Sequence, residues 1–200
     1  MKYIKSIILV LFTVSIQAQE SNLLIKKDLI TDWSNYPIYP YLIDSTSAEK
    51  QWKPQFKYLD SIEVYGITYL SDGLKIRGLM AKPKKGGNRD FGSLVVAHGA
   101  ITLGQIAKEG YVVIASQYRG NGGSEGKEEF GGKDVNDITI LPTVLKEIQG
   151  ADTEKIGMYG WSRGGMMTYI ALSKMDEIKA AVVGGALSDA LSMMEDRPEM

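Results

Sequence analysis

Ile156-Gly157-Met158-Tyr159-Gly160-Trp161-Ser162-Arg163-Gly164-Gly165 is the stretch whose reading decides the fold. Residues 156–159 read as a short strand and Gly164 to Lys174 as a helix, so Gly160-Trp161-Ser162-Arg163-Gly164 is a G-x-S-x-G motif at a strand-to-helix junction. In such a junction the serine occupies a tight, strained turn, where neighbouring side chains would collide with the strand or the helix. Glycine on either side removes those collisions and lets Ser162 Oγ stand at the carboxyl end of the strand. The helix directs the positive end of its dipole toward charge developing there. The backbone N–H of Arg163, the residue after the serine, is then the expected oxyanion donor. Two other glycine-rich turns are excluded by spacing. A phosphate loop needs Lys-Ser/Thr after its last glycine, where this chain has Gly165-Met166, and no G-x-G-x-x-G runs from Gly160. A plain glycine-rich turn is the remaining alternative.

Working outward, Ala180 to Gly184 (AAVVG) reads as a following strand, and Tyr111 to Ala115 (YVVIA) as an earlier one whose continuous apolar run is that of a buried parallel strand. A long glycine-rich loop, Gln117 to Lys133, separates Tyr111–Ala115 from Asp134 to Gln149, whose Val135, Ile138, Leu141, Val144, Leu145 and Ile148 have helical spacing, with Pro142 as a kink. Further upstream, Ser61–Leu70 and Leu74–Met80 alternate about a Ser71-Asp72-Gly73 turn, the pattern of an antiparallel hairpin. The expected fold class is therefore α/β: a mostly parallel sheet with helices on its faces and an antiparallel N-terminal hairpin.

Residues 94–109 admit two readings. Leu94 to Ala97 could be a strand ending at His98-Gly99, but only Ala100 to Gly110 would then remain for a crossover helix. The favoured reading makes Leu94 to Ala107 the helix, with a strand missing before Gly86 and His98 on a helix face without chemistry.

The remaining chain sets limits. Lys2 and Lys5, the apolar run Ile7–Val14 and the small Ala18 read as a signal peptide over 1–18, too short to span a bilayer. This predicts a secreted or periplasmic protein with no membrane span once the signal is removed. Residues 19–60 read as an irregular lead-in rich in Trp and Tyr, and 61–200 as a partial domain of the class just described. Basic and acidic residues nearly cancel, 23 against 24, for a net charge of −1, so nucleic acid is not an expected partner. The absence of cysteine excludes disulfides, thiolate metal sites and a cysteine nucleophile, and a single histidine excludes a multi-histidine metal centre. Neither a metal nor another cofactor is expected.

Ala107 to Asp189 resembles the catalytic domain of the prolyl oligopeptidase family of serine peptidases, which are α/β-hydrolases. The resemblance is carried by AKEGYVVIASQYRGNGGS (107–124), GMYGWSRGGMMT (157–168) and IKAAVVGGALSD (178–189). It implies hydrolysis of a peptide bond or ester through an acyl-enzyme on Ser162. It also implies supporting loops at Gly86–Gly92, beside the oxyanion hole, and at Tyr118–Ser124. In this fold the triad runs serine, acid, histidine along the chain. His98 lies before Ser162, and the acid of relatives follows a strand later than Ala180–Gly184. Asp189 is thus read as a helix start rather than a triad member, and Asp134 and Asp137 as residues of a first helical turn. Arg119 could pair with acidic neighbours or with substrate. The expected protein is a serine peptidase domain whose triad acid and histidine are absent from these 200 residues, which read as truncated at the C-terminus and inactive alone. The alternatives are a carboxylesterase or dienelactone-hydrolase-like enzyme on the same serine, or a non-catalytic secreted binding protein.

Overall fold

The computed structural model describes residues 22–46, 49–85, 91–97, 100–189 and 195. Strands in chain order are β1 (Leu24–Leu29), β2 (Ile43–Asp44), β3 (Gln51–Trp52), β4 (Ile62–Ser71), β5 (Leu74–Pro83), β6 (Phe91–Ala97), β7 (Val112–Ser116), β8 (Ala151–Trp161) and β9 (Ile178–Gly184). Helices are α1 (Tyr39–Leu42), α2 (Ala100–Ala107), α3 (Asn136–Thr139), α4 (Leu141–Lys146) and α5 (Arg163–Leu172), with 3-10 turns at Pro54–Ser61 and Lys133–Val135. Among the described residues, one large sheet has the order β1-β4-β5-β7-β6-β8-β9. β1, β4, β5 and β7 pair antiparallel in succession, while β7, β6, β8 and β9 are parallel. The small β2–β3 pair stands apart.

Alternation explains how the sheet is covered on both faces. In β7, Val112 and Ile114 join the cluster built with Val135, Ile138, Leu141, Val144, Leu145, Met167 and Ala171, which come from the 3-10 turn at 133–135, α3, α4 and α5. Val113 and Ala115 point the other way, toward Leu103 and Ala107 of α2, with Tyr58 and Leu59 alongside. A strand that is apolar at every position is what a doubly covered sheet requires. β4 is shared similarly: Ile62 and Val64 face the α2 side, Ile67 and Tyr69 the α3–α5 side. In the second half of the strand Ile67 and Tyr69 are buried, while Thr68 and Leu70 are only partly so.

Three expectations are corrected. Residues 94–97 lie in β6, not in a helix, and the helical part is α2 alone. The strand that seemed missing before Gly86 follows that glycine, as β6. An eight-residue helix spans about 12 Å, enough to return the chain alongside the five residues of β7. Gly110 accomplishes the stop at φ 104°, its N–H bonded to the Ala107 carbonyl at 3.0 Å. Next, the helix expected over 134–149 is divided into the 3-10 turn, α3 and α4, with Pro142 in the first turn of α4, where its missing N–H breaks no helical bond. Finally, part of the segment read as irregular is ordered into the sheet. β1 pairs with β4, and Leu23 and Leu24 donate their N–H groups to Glu147 at 2.8 and 3.0 Å.

Candidate active site

Ser162 stands at the carboxyl end of β8, a strand flanked by β6 and β9, and immediately precedes α5. Its backbone has φ 54° and ψ −124°, a region that non-glycine residues avoid at a cost of about 1–3 kcal/mol. The surroundings hold it there. Ser162 N–H donates to the Gly184 carbonyl at 2.9 Å, and its own carbonyl accepts from Gly165 N–H at 2.9 Å and Met166 N–H at 3.2 Å. The side chain is exposed. Arg163 is the first residue of α5, so its N–H belongs to the opening turn that has no acceptor within the helix.

The flanking glycines are required by close approach. A Cβ on Gly160 would overlap the Gly164 carbonyl oxygen and Thr168 Oγ1, and one on Gly165 would come within 2.6 Å of Ala186 Cβ and 2.9 Å of Val183 Cγ1. Thus α5 packs directly on the backbone of β8 and on the turn after β9. Trp161 lies over Gly184 and Gly185, leaving half its surface exposed beside Ser162.

The loop after β7 folds against this turn. The Arg163 guanidinium carbon lies 4.6 Å from the Tyr118 ring centroid and 4.7 Å from that of Phe130. The same guanidinium pairs with Glu128 through Nη1 and donates from Nη2 to Asp134 Oδ2 at 2.9 Å. Asp134 is fully buried and its other oxygen accepts the Gly131 N–H at 3.0 Å. Tyr118 and Phe130 both adopt positive φ, 63° and 50°. Burial pushes the Tyr118 phenol up to about 12. Its hydroxyl, like Arg163 Nε, is buried without a hydrogen-bond partner among the described residues. Burial lowers the Arg163 guanidinium from its ordinary value.

A second arginine fastens the same loop to the hairpin. Arg119 is buried, as is Asp137, and they form a two-pronged pair: Nη2 to Oδ1 at 2.7 Å and Nε to Oδ2 at 3.1 Å. Arg119 N–H also donates to Asp137 Oδ2 at 2.7 Å, and Nη2 reaches Asp72 Oδ2 at 2.7 Å. Hydrogen bonds from Asn136 and then Arg119 hold the Asp72 carboxyl below the usual range. The Tyr69 hydroxyl donates to the Asp137 carbonyl and accepts from Ser116 Oγ–H, each at 2.7 Å.

These pairs settle the choice left open for Arg119: it is occupied by acidic neighbours. Asp134 and Asp137 lie in the first turns of the 3-10 turn and of α3, as read, and are also the buried ion-pair partners of the two arginines. Asp189 follows β9 in a segment without regular structure, and residues 190–194, where a helix was expected to continue, lie outside the described residues. So do His98, the loop residues 86–90 and the expected signal segment 1–18. Among the described residues, no group of three or more His, Asp or Glu is placed to hold a metal ion, and no helix is long and apolar enough to cross a membrane.

A mixed sheet with helices on both faces and a strained serine turn at the carboxyl end of one of its parallel strands has the architecture of an α/β-hydrolase. More particularly, the model of the prolyl oligopeptidase family matches residues 101–199. It is 34% identical over 148 residues to an uncharacterized peptidase, YtmA, of Bacillus subtilis, covering 70% of this chain and 57% of that one. The acylaminoacyl peptidase of Pyrococcus horikoshii superposes with a TM-score of 0.57 at 27% identity, over 70% of this chain and 26% of the other. An acetyl xylan esterase from a Paenibacillus species shares the fold at 20% identity with a TM-score of 0.59, over 73% and 54% of the two chains. The chain thus spans less than two thirds of the length of each.

Proposed function

We propose that the protein is a serine peptidase in which Ser162 is the nucleophile and the backbone N–H of Arg163 is one oxyanion donor. The observation that carries this reading is the Ser162 turn itself: an exposed serine held at φ 54° between β8 and the N-terminus of α5. Strain maintained by close packing and hydrogen bonds, at a serine aimed into solvent, is the geometry of an activated nucleophile on this fold.

In the proposed reaction Ser162 Oγ attacks the carbonyl carbon of a peptide bond while a histidine accepts the hydroxyl proton. The carbonyl oxygen becomes an oxyanion and accepts the Arg163 N–H. Collapse breaks the carbon–nitrogen bond, the amine leaves with the proton, and the acyl group stays on Ser162. Water then adds to the acyl carbon, returning the serine hydroxyl and releasing a carboxylic acid. The order serine, acid, histidine assigns the proton acceptor to a residue later than Ser162 in the chain, not to His98. The match to the family model supports a peptide substrate, and the fold shared with an esterase makes activated esters suitable reporters. The N-terminal residues 1–18 are proposed as an export signal, which N-terminal sequencing of the mature protein checks.

The test is a substrate panel on the protein expressed from its full reading frame: X-Pro and Ala-Ala amides beside p-nitrophenyl esters, each repeated with Ser162→Ala. Amide turnover that disappears in the variant supports the peptidase reading. Ester turnover with no amide turnover identifies an esterase instead, and no turnover of either class by the folded protein favours a binding role.

A further inference from the structure

We infer that the side chain of Arg163 is a positioning residue: held against the rings of Tyr118 and Phe130 and paired with Glu128 and Asp134, it locks the loop from Tyr118 to Asp134 onto the serine turn and thereby fixes the backbone N–H of its own residue. The inference rests on the reading of Ser162 as nucleophile and assigns a task to a side chain which that reading leaves unused.

The geometry gives the guanidinium two apolar slabs and two carboxylates at once. The Tyr118 and Phe130 ring centroids lie 4.6 and 4.7 Å from its carbon, while Glu128 and Asp134 pair with its two terminal nitrogens, so four side chains of the loop hold it. Meeting two aromatic rings and two carboxylates at once is a task for the delocalised, many-donor guanidinium and not for lysine, whose ammonium is a compact charge. Arg163 sits at the first position of α5, so the segment it immobilises carries the N–H proposed to meet the oxyanion. On the loop side, both stacking residues occupy positive φ, and Asp134 also holds the Gly131 N–H. These partners lie 29 to 45 residues before Arg163 in the chain, so the clamp joins the loop after β7 to the turn after β8. Glu128 and Phe130 are at the surface, so the clamp closes at the rim of the site rather than in the core.

The experiment is chemical rescue in the protein from its full reading frame. Arg163→Ala vacates the place beside the two rings and the two carboxylates, which guanidinium ion matches and ammonium does not. The expected result is a fall in kcat of roughly 10- to 100-fold, with KM changed by less than about twofold. Millimolar guanidinium chloride should then restore at least about tenfold, while ammonium chloride and wild-type controls show no gain. Phe130→Leu, which removes one slab from an exposed position and leaves the arginine, should lower kcat several-fold and keeps the test open if Arg163→Ala does not fold. Wild-type kcat in either folded variant, or a loss in Arg163→Ala that guanidinium leaves unchanged, overturns the inference. Failure of the nucleophile reading shows separately, as retained turnover in Ser162→Ala.

Discussion

Thr168 Oγ1 donates a 2.8 Å hydrogen bond to the carbonyl oxygen of Gly164, and both oxygens occupy the space that a side chain on Gly160 would need. The first turn of α5 is thus tied into the gap that the glycine leaves at the end of β8. Backbone and a buried threonine cannot move aside as a flexible side chain could. Gly160→Ala is therefore expected to destabilise the protein by about 1–3 kcal/mol through overpacking, read as a lowered denaturant midpoint with unchanged slope. A midpoint equal to wild type would mean that the serine turn is looser than its contacts indicate.

The two carboxylates on Arg119 differ sharply in exposure, and their removal should differ accordingly. Asp137 is fully buried, whereas the Asp72 side chain is 44% exposed. Asp137→Ala strands a buried guanidinium and is expected to cost about 3–5 kcal/mol. Asp72→Ala loses a solvent-screened partner and should cost no more than about 1 kcal/mol. Equilibrium denaturation of the two variants decides it, and equal losses would contradict the ranking.

Stability at high pH should depend on Tyr118. Its folded phenol is raised from 10.0 to about 12, so below pH 10 it is neutral in both folded and unfolded chains and its contribution is complete. As pH rises from about 10 to about 12 the unfolded chain releases this proton first, and stability falls. Tyr118→Phe removes both the titration and a buried hydroxyl without a partner among the described residues. The variant is expected to be at least as stable as wild type near neutrality and to lose less stability between pH about 9 and about 11. A steeper alkaline loss in the variant would contradict the assigned burial.

The parts legible in the sequence are those governed by local chemistry. The hairpin β4–β5 follows from alternation about Ser71-Asp72-Gly73, and the β8–α5 junction from an apolar run meeting Gly160-Trp161-Ser162-Arg163-Gly164. Leu94 to Ala97 misleads because a short, continuously apolar run shows no alternation to mark it as a strand, and after two residues α2 continues the apolar character. The ion pairs are illegible for a different reason: Asp137 and Arg119 are 18 residues apart, and Asp134 and Arg163 are 29. Their signal was nevertheless present. Asp134 and Asp137 fall among Val135, Ile138 and Leu141, on the buried arc of the segment, and an acid on such an arc calls for a cation.

The most direct measurement is mass spectrometry of the protein from its full reading frame after treatment with a fluorophosphonate, which phosphonylates activated serines. One adduct is expected, on the peptide containing Ser162, with none in Ser162→Ala. An adduct on another residue, or undiminished labelling of Ser162→Ala, would contradict the assignment of Ser162 as nucleophile.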